Sequence, residues 1–168
     1  LSVARSIAPK SDATAVATVT SDIAFGLSKY FEVSQTPTCG PTRIGIVLRP
    51  WQDIERIVNH MGTALNMLHS KANTQFTLIP FQGGTDEVIH SHLLSKLPSN
   101  ATTMEPAPTI STIPNKLRQC DLLIGMRLHS LIFASMTGVP FVAIDCDPKT
   151  SAFAQQVEPQ CIIPAPSL

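Results

Sequence analysis

Short apolar runs typical of β-strands alternate along this chain with longer segments whose apolar residues recur every three or four positions. The clearest of the longer segments predicts a helix with six apolar side chains on one face: Ile54, Ile57, Val58, Met61, Leu65 and Leu68. Strands that alternate with helices are typical of parallel sheets with right-handed crossovers. The sequence therefore predicts an α/β fold with a doubly wound parallel sheet.

The same patterns predict the individual elements. Strands are expected at residues 15–19, 43–48, 76–79, 102–104, 122–124 and 141–144, and further helices at about 86–97, 110–119 and 128–136. The helix at 86–97 is expected to bury Val88, Ile89, Leu93 and Leu94 and to leave His90 and His92 in solvent. The proline-rich segment Pro98 to Pro114 is expected to be a surface loop with little regular structure.

Charge and hydropathy exclude several classes of function. Twelve basic and twelve acidic residues give a formal net charge of zero, so no electrostatic footprint for nucleic acid or an acidic membrane surface is present. No apolar segment approaches the roughly 20 residues that span a bilayer, and no signal-peptide pattern occurs. We expect no nucleic-acid partner, no transmembrane segment, and a cytoplasmic location in which peripheral membrane attachment stays open.

The four cysteines give no sign of a metal site. Cys39, Cys120, Cys146 and Cys161 are far apart and form no C-x-x-C pair. We expect reduced, mostly apolar thiols and no bound metal. A reactive thiol at Cys146, next to the Asp147 turn, is the alternative, and it would need cationic neighbours. Glycine-rich nucleotide-binding motifs are absent from the sequence, which disfavours a dinucleotide or P-loop site.

Cationic side chains follow two of the predicted strands. Arg127 and His129 come after the run ending at Ile124, and Lys149 comes after the run ending at Ile144. In an open α/β sheet, ligands bind outside the carboxyl ends of the strands, where helix N-termini attract anions. Arg127 offers a permanently charged fork and His129 a group that exchanges a proton near neutral pH. The pattern predicts a phosphate or carboxylate site; a helix-start pair that binds only backbone carbonyls is the alternative.

Other polar residues share this predicted edge. Arg49 ends a strand and can be a ligand of the crevice or a partner in a structural ion pair. Gln82 and Asp86 follow the next strand, where they can meet sugar hydroxyls or, for the carboxylate, oppose a helix dipole. Asp147 and Pro148 have the residue types of an N-cap and a first helical position.

Four consecutive motifs resemble the carboxyl-terminal half of the polysaccharide pyruvyltransferase family. They are the G-M-R-L-H turn at Gly125 to His129, the apolar helix at Leu131 to Met136, the G-V-P-F strand start at Gly138 to Phe141, and the D-P-K turn at Asp147 to Lys149. Weaker similarity extends to residues 19–25 and 44–51, although Ile23 stands where the family usually has proline.

The resemblance implies both a fold and a reaction. Members of this family use phosphoenolpyruvate to place a pyruvyl ketal on a sugar of a cell-surface polysaccharide. It implies Arg127 and His129 as catalytic residues, Lys149, Arg49 and Gln82 as substrate-binding residues, no cofactor, and phosphoenolpyruvate and a glycan as partners. It also implies a Rossmann-like second lobe of the glycosyltransferase-B kind at residues 42–168, with 1–41 as inter-lobe segment and connector.

Two alternatives to this function remain open. The same cations could hold the diphosphate of a nucleotide-sugar in a glycosyltransferase lobe, or the chain could be a non-catalytic binding module left after loss of a first lobe. Because 168 residues supply only one of the two implied lobes, we expect a fragment or natural truncation that is inactive in isolation and lacks an amino-terminal partner lobe.

Overall fold

The computed structural model describes residues 22–30, 40–157 and 161–165. Six strands form one sheet: β1 (Thr42–Val47), β2 (Thr74–Leu78), β3 (Thr102–Met104), β4 (Leu122–Gly125), β5 (Phe141–Asp145) and β6 (Cys161–Pro164). Every neighbouring pair is parallel. The predicted doubly wound parallel sheet is therefore confirmed, whereas the strand expected at 15–19 lies outside the described residues.

The strand order is β3-β2-β1-β4-β5-β6. Strands β1 to β3 extend the sheet in one direction, and the chain then returns to place β4 beside β1 and extends the sheet in the other direction. Val47 of β1 pairs in register with Gly125 of β4. The carboxyl ends of these two strands consequently lie side by side. Such a reversal is where open α/β sheets form their ligand crevice.

Five α-helices and one 3-10 helix accompany the described strands. They are the 3-10 helix Ile23–Tyr30, α1 (Ile54–Lys71), α2 (Thr85–Leu94), α3 (Ile113–Leu117), α4 (Leu128–Thr137) and α5 (Pro148–Gln156). One core joins α1 and α2 to Ile44 and Ile46, and a second core joins α3, α4 and α5 to Val47. Because successive strand residues point to opposite faces, β1 contributes to both layers.

Helix α1 buries most of its predicted face. Ile57, Val58, Met61 and Leu65 are at most 5% exposed, and burial of each such side chain contributes about 1.5 to 3 kcal/mol. Leu68 is 39% exposed, so its expected burial is wrong. In the last turn of α1, His69 faces the sheet instead, with its Nδ1 3.1 Å from the carbonyl oxygen of Thr74 in β2.

Helix α2 is rotated by one position from the prediction. Its buried side chains are Asp86, Ile89, His90 and Leu93, while Val88 is 70% exposed. The expectations that Val88 is buried and that His90 is solvated are therefore wrong. Positions 86, 89, 90 and 93 have the spacing of one helical face, so the inward face includes two ionisable residues.

The proline-rich segment contains more regular structure than a loop. β3 lies within it and pairs with β2 at the edge of the sheet, and α3 begins at its end. β6 was not predicted; it is a four-residue strand that ends in Pro164 and pairs with β5. Among the helices described, none is both long enough and apolar enough to cross a bilayer.

Candidate active site

All five residues predicted for the site lie at the carboxyl edge of the sheet. Arg49 follows β1, Gln82 follows β2 and Arg127 follows β4, while His129 and Lys149 lie in the first turns of α4 and α5. The parallel topology thus brings them to one side of the molecule. Their joint contact with a ligand stays a prediction.

Arg127 is held by a buried carboxylate. Its Nε donates to Asp86 Oδ2 at 2.8 Å and its Nη2 donates to Asp86 Oδ1 at 2.5 Å and to Gln82 Oε1 at 3.0 Å. Asp86 is 0% exposed and also accepts the backbone N–H of Gln82 at 2.9 Å. This two-point contact fixes the plane of the guanidinium. The two N–H groups on Nη1 have no partner within the described part of the chain and can bind a ligand.

His90 supports this ion pair from the core. Its Nδ1 lies 2.8 Å from the carbonyl oxygen of Asp86, and its Nε2 lies 3.2 Å from the backbone nitrogen of Leu48. The Asp86 carbonyl oxygen can only accept, so Nδ1 carries the proton of the neutral imidazole. Nε2 then accepts from the Leu48 N–H, and the Ile46 carbonyl oxygen, also 3.2 Å from Nε2, receives no proton from it. Burial lowers the pKa of His90, which keeps the imidazole neutral. The spacing of Asp86 and His90 was the available sequence signal for this network, since residues four apart share a helical face.

His129 is the exposed imidazole of the site. Its side chain is 59% exposed, and its Nε2 lies 4.0 Å from Asp22 Oδ1. Asp22 precedes the 3-10 helix, and its Oδ1 accepts the backbone N–H of Ala24 at 2.9 Å. An accessible imidazole can exchange a proton with a ligand near neutral pH. Asp22 belongs to the weaker motif at residues 19–25 and is an additional candidate residue of the site that the spacing of the cations did not reveal.

Asp147 connects the ends of β1 and β5. Its Oδ2 lies 3.2 Å from Arg49 Nη1, and its Oδ1 accepts the backbone N–H groups of Lys149 at 2.9 Å and Thr150 at 3.0 Å. The predicted N-cap is therefore confirmed, with Pro148 as the first helical residue. Arg49 is therefore part of an ion pair, and its contact with a ligand stays a prediction.

The two remaining cations of this edge, Arg49 and Lys149, differ in their surroundings. The Arg49 guanidinium carbon lies 5.4 Å from the centre of the Trp51 ring, within the range of a cation–π interaction. Lys149 is exposed, and its ammonium contacts no partner in the ranges that the structure covers. Lys149 is thus a cation at this edge that an anionic ligand can reach.

The described thiols are unsuited to nucleophilic chemistry. Burial, followed by the neighbouring Asp147 carboxylate, raises the pKa of Cys146, and its Sγ donates to the carbonyl of Met126 at 3.5 Å. Burial also raises the pKa of Cys120 to about 11. Both thiols are protonated at neutral pH. Within the described residues, no group of three metal-ligating side chains is arranged around a common point.

The all-parallel sheet, its strand order and its polar carboxyl edge define a Rossmann-like lobe of the GT-B type. The crystal structure of TarM is similar to this chain with a TM-score of 0.53 and 17% sequence identity, over 79% of this chain and 27% of TarM. A family model for polysaccharide pyruvyl transferases matches residues 10–148, and the chain belongs to that family. No curated protein matches the chain in sequence.

Proposed function

We propose that this chain is the carboxyl-terminal lobe of an enzyme that transfers a pyruvyl group from phosphoenolpyruvate to a sugar of a cell-surface polysaccharide. Family membership supports the proposal. The observation that carries it is the oriented guanidinium of Arg127, whose Nη1 edge has no partner in the described chain, on the same sheet edge as His129 and Lys149. Cytoplasmic location and independence from cofactors stay predictions.

Phosphoenolpyruvate suits these cations because it carries a phosphate and a carboxylate. The parallel pair of N–H bonds of Arg127 is used by Asp86, and the second Nη2 N–H donates to Gln82. The two N–H groups on Nη1 diverge, so each can donate one charge-assisted hydrogen bond to a phosphate or carboxylate oxygen. Lys149 adds a mobile ammonium. Arg49 and Gln82 would complete the donor site from β1 and β2.

The proposed reaction adds two hydroxyl groups of one sugar to the enol carbon of phosphoenolpyruvate. Two C–O bonds form, the C–O bond to phosphate breaks, and the methylene carbon becomes a methyl group. One hydroxyl proton ends on that methyl carbon and the other leaves with inorganic phosphate, so atoms and charge balance. His129 would move these protons, with the Asp22 carboxylate facing the imidazole.

The test compares His129→Asn with His92→Asn in the full-length enzyme. His92 is an exposed histidine near the end of α2 and serves as a matched control. Loss of general acid–base catalysis should lower kcat by about 10²- to 10⁴-fold in the first variant and leave the second unchanged. Phosphate release from phosphoenolpyruvate and the mass of a pyranose acceptor would be measured together.

Two outcomes would contradict the proposal. A wild-type rate in His129→Asn would remove this residue from proton transfer. Release of a nucleoside diphosphate from a nucleotide-sugar, without consumption of phosphoenolpyruvate, would favour the glycosyltransferase alternative instead. Arg127→Ala is a poor first variant, because loss of the partner of a buried carboxylate costs about 3 to 5 kcal/mol of stability. Arg127→Lys keeps the charge but loses the two-point contact.

A further inference from the structure

A cavity of about 680 Å³ opens at the same sheet edge as the donor cations. Its walls come from the segment after β1, the turn between β5 and α5, the body of α5 and the end of β6. The polar and aromatic residues among them are Trp51, Gln52, Asp145, Asp147, Ser151 and Gln155. Ligand pockets in proteins typically have about 300 to 1,000 Å³, so the cavity is large enough for at least one sugar ring.

The charge of the cavity differs from that of the proposed donor site. Of the described residues that line it, none is a lysine, arginine or histidine, and two are aspartates. Asp147 is paired with Arg49, whereas Asp145 has no ion pair in the described chain, and its carboxylate would repel a ligand with the negative charges of phosphoenolpyruvate. A neutral molecule rich in hydroxyl groups would instead donate hydrogen bonds to the carboxylates.

The cavity has unused polar atoms for such a molecule. Asp145 Oδ1 accepts from Ser151 Oγ at 2.5 Å, which leaves Oδ2 without a partner in the described chain. The side-chain amides of Gln52 and Gln155 likewise make no hydrogen bond within the described ranges. Trp51 adds an aromatic surface against which the apolar C–H face of a sugar can pack.

Asp147 joins this cavity to the donor cations. It lines the cavity, accepts from Arg49 and caps the helix that carries Lys149. A sugar in the cavity would therefore lie next to a donor bound at those cations. Such proximity is what a transfer between two substrates requires.

We propose that this cavity is the acceptor subsite and that it holds a neutral pyranose ring of the polysaccharide. The proposal rests on the proposed pyruvyl transfer and assigns one of its two substrates to a separate set of residues. Gln52, Asp145 and Gln155 bind hydroxyl groups, and Trp51 packs against the ring.

The test uses Trp51, which is the chain's only tryptophan. The 168-residue chain would be titrated with methyl β-D-galactopyranoside while the fluorescence of Trp51 is recorded. A saturable change is expected with the pyranoside. Because the Arg49 guanidinium lies 5.4 Å from the Trp51 ring, phosphoenolpyruvate at the donor cations can also change this signal, so the discriminating result is pyranoside affinity that excess phosphoenolpyruvate does not abolish. Asp145→Asn and Gln155→Ala should each weaken pyranoside binding about 3- to 10-fold, as expected for loss of one hydrogen bond. Gln119→Ala, an exposed change before β4 at the opposite edge, should have no effect.

The outcomes separate this proposal from the proposed function. Loss of pyranoside binding in excess phosphoenolpyruvate, or unchanged pyranoside affinity in both variants, would overturn the acceptor subsite. In the full-length enzyme, Gln155→Ala should raise the KM for the acceptor and leave the KM for phosphoenolpyruvate unchanged. An unchanged acceptor KM alongside normal pyruvyl transfer would refute the subsite alone. Pyranoside binding that depends on Asp145 and Gln155, without any pyruvyl transfer, would support the subsite and refute the function.

Discussion

His90 is a buried support for the candidate site. Its imidazole links the backbone at the end of β1 to the carbonyl of Asp86, whose carboxylate orients Arg127. The residue therefore acts on the site through two other groups. Its neutral state is part of that support, because Nε2 can accept the N–H of Leu48 only while it is unprotonated.

We expect His90 to make stability depend on pH. Burial lowers its pKa in the folded chain below the ordinary 6.5, so the unfolded chain binds more protons in acid. The contribution of neutral His90 to the free energy of unfolding is complete above pH 6.5 and is lost as the pH falls from there toward the folded pKa. For one titrating group, the free energy of unfolding cannot change by more than about 1.4 kcal/mol per pH unit. Urea unfolding followed by circular dichroism at several pH values would measure it.

His90→Gln should flatten this pH dependence, and His92→Gln, which alters an exposed histidine of the same helix, should not. The charged groups that act on His90 are Asp86, which raises its pKa, and Arg127, which lowers it. An identical slope in His90→Gln and the unchanged protein would assign the acid sensitivity to other groups.

At the scale of elements, the junction between β4 and α4 is tightly packed. A Cβ atom on Gly125 would lie 2.7 Å from Ser130 Oγ and 2.8 Å from Leu131 Cδ2. Glycine therefore allows the helix to turn back directly against the end of its own strand. That close turn places Arg127 and His129 at the crevice.

Gly125→Ala should lower the free energy of unfolding by about 1 to 3 kcal/mol, as expected for overpacking. Gly83→Ala is the control, because its added Cβ would lie 3.6 Å from Ala107 Cβ, an ordinary contact. Urea denaturation of both variants gives the comparison. Equal stability of the two would show that α4 can shift away from β4 at little cost.

Local patterns predicted most elements because each depends on neighbouring residues. Spacing within a few positions was enough to predict strands β1 to β5, the buried face of α1, and Asp147 as an N-cap. The pairing of Asp86 with Arg127 could not be predicted in this way, since the two are 41 residues apart and meet only after β1 and β4 have paired. β6 was missed because four residues that include a proline give a weak strand signal.

At the scale of the whole molecule, the chain spans 27% of the length of TarM. We propose that the described sheet edge is one wall of a cleft and that a first lobe supplies the other. Positioning of two reactants can contribute about 7 to 11 kcal/mol to catalysis. The 168-residue chain alone should therefore bind anions weakly and show no pyruvyl transfer.

The measurement is the rate of phosphate release from phosphoenolpyruvate in the presence of a pyranose acceptor, for this chain and for the full-length enzyme. Full-length turnover with none from the short chain is the expected result. Similar rates in the two proteins would mean that one wall is sufficient for the reaction.

The contact between Asp86 and Arg127 also limits how the site can be transplanted. A designer who grafts the turn from Gly125 to His129 onto another parallel sheet would carry over the guanidinium without its buried carboxylate. The grafted arginine would be free to rotate, and its planar donors would no longer point in a fixed direction. A working graft must therefore include the amino end of α2 as well as the turn from Gly125 to His129. These two segments follow β2 and β4, which lie on opposite sides of the point where the strand order reverses.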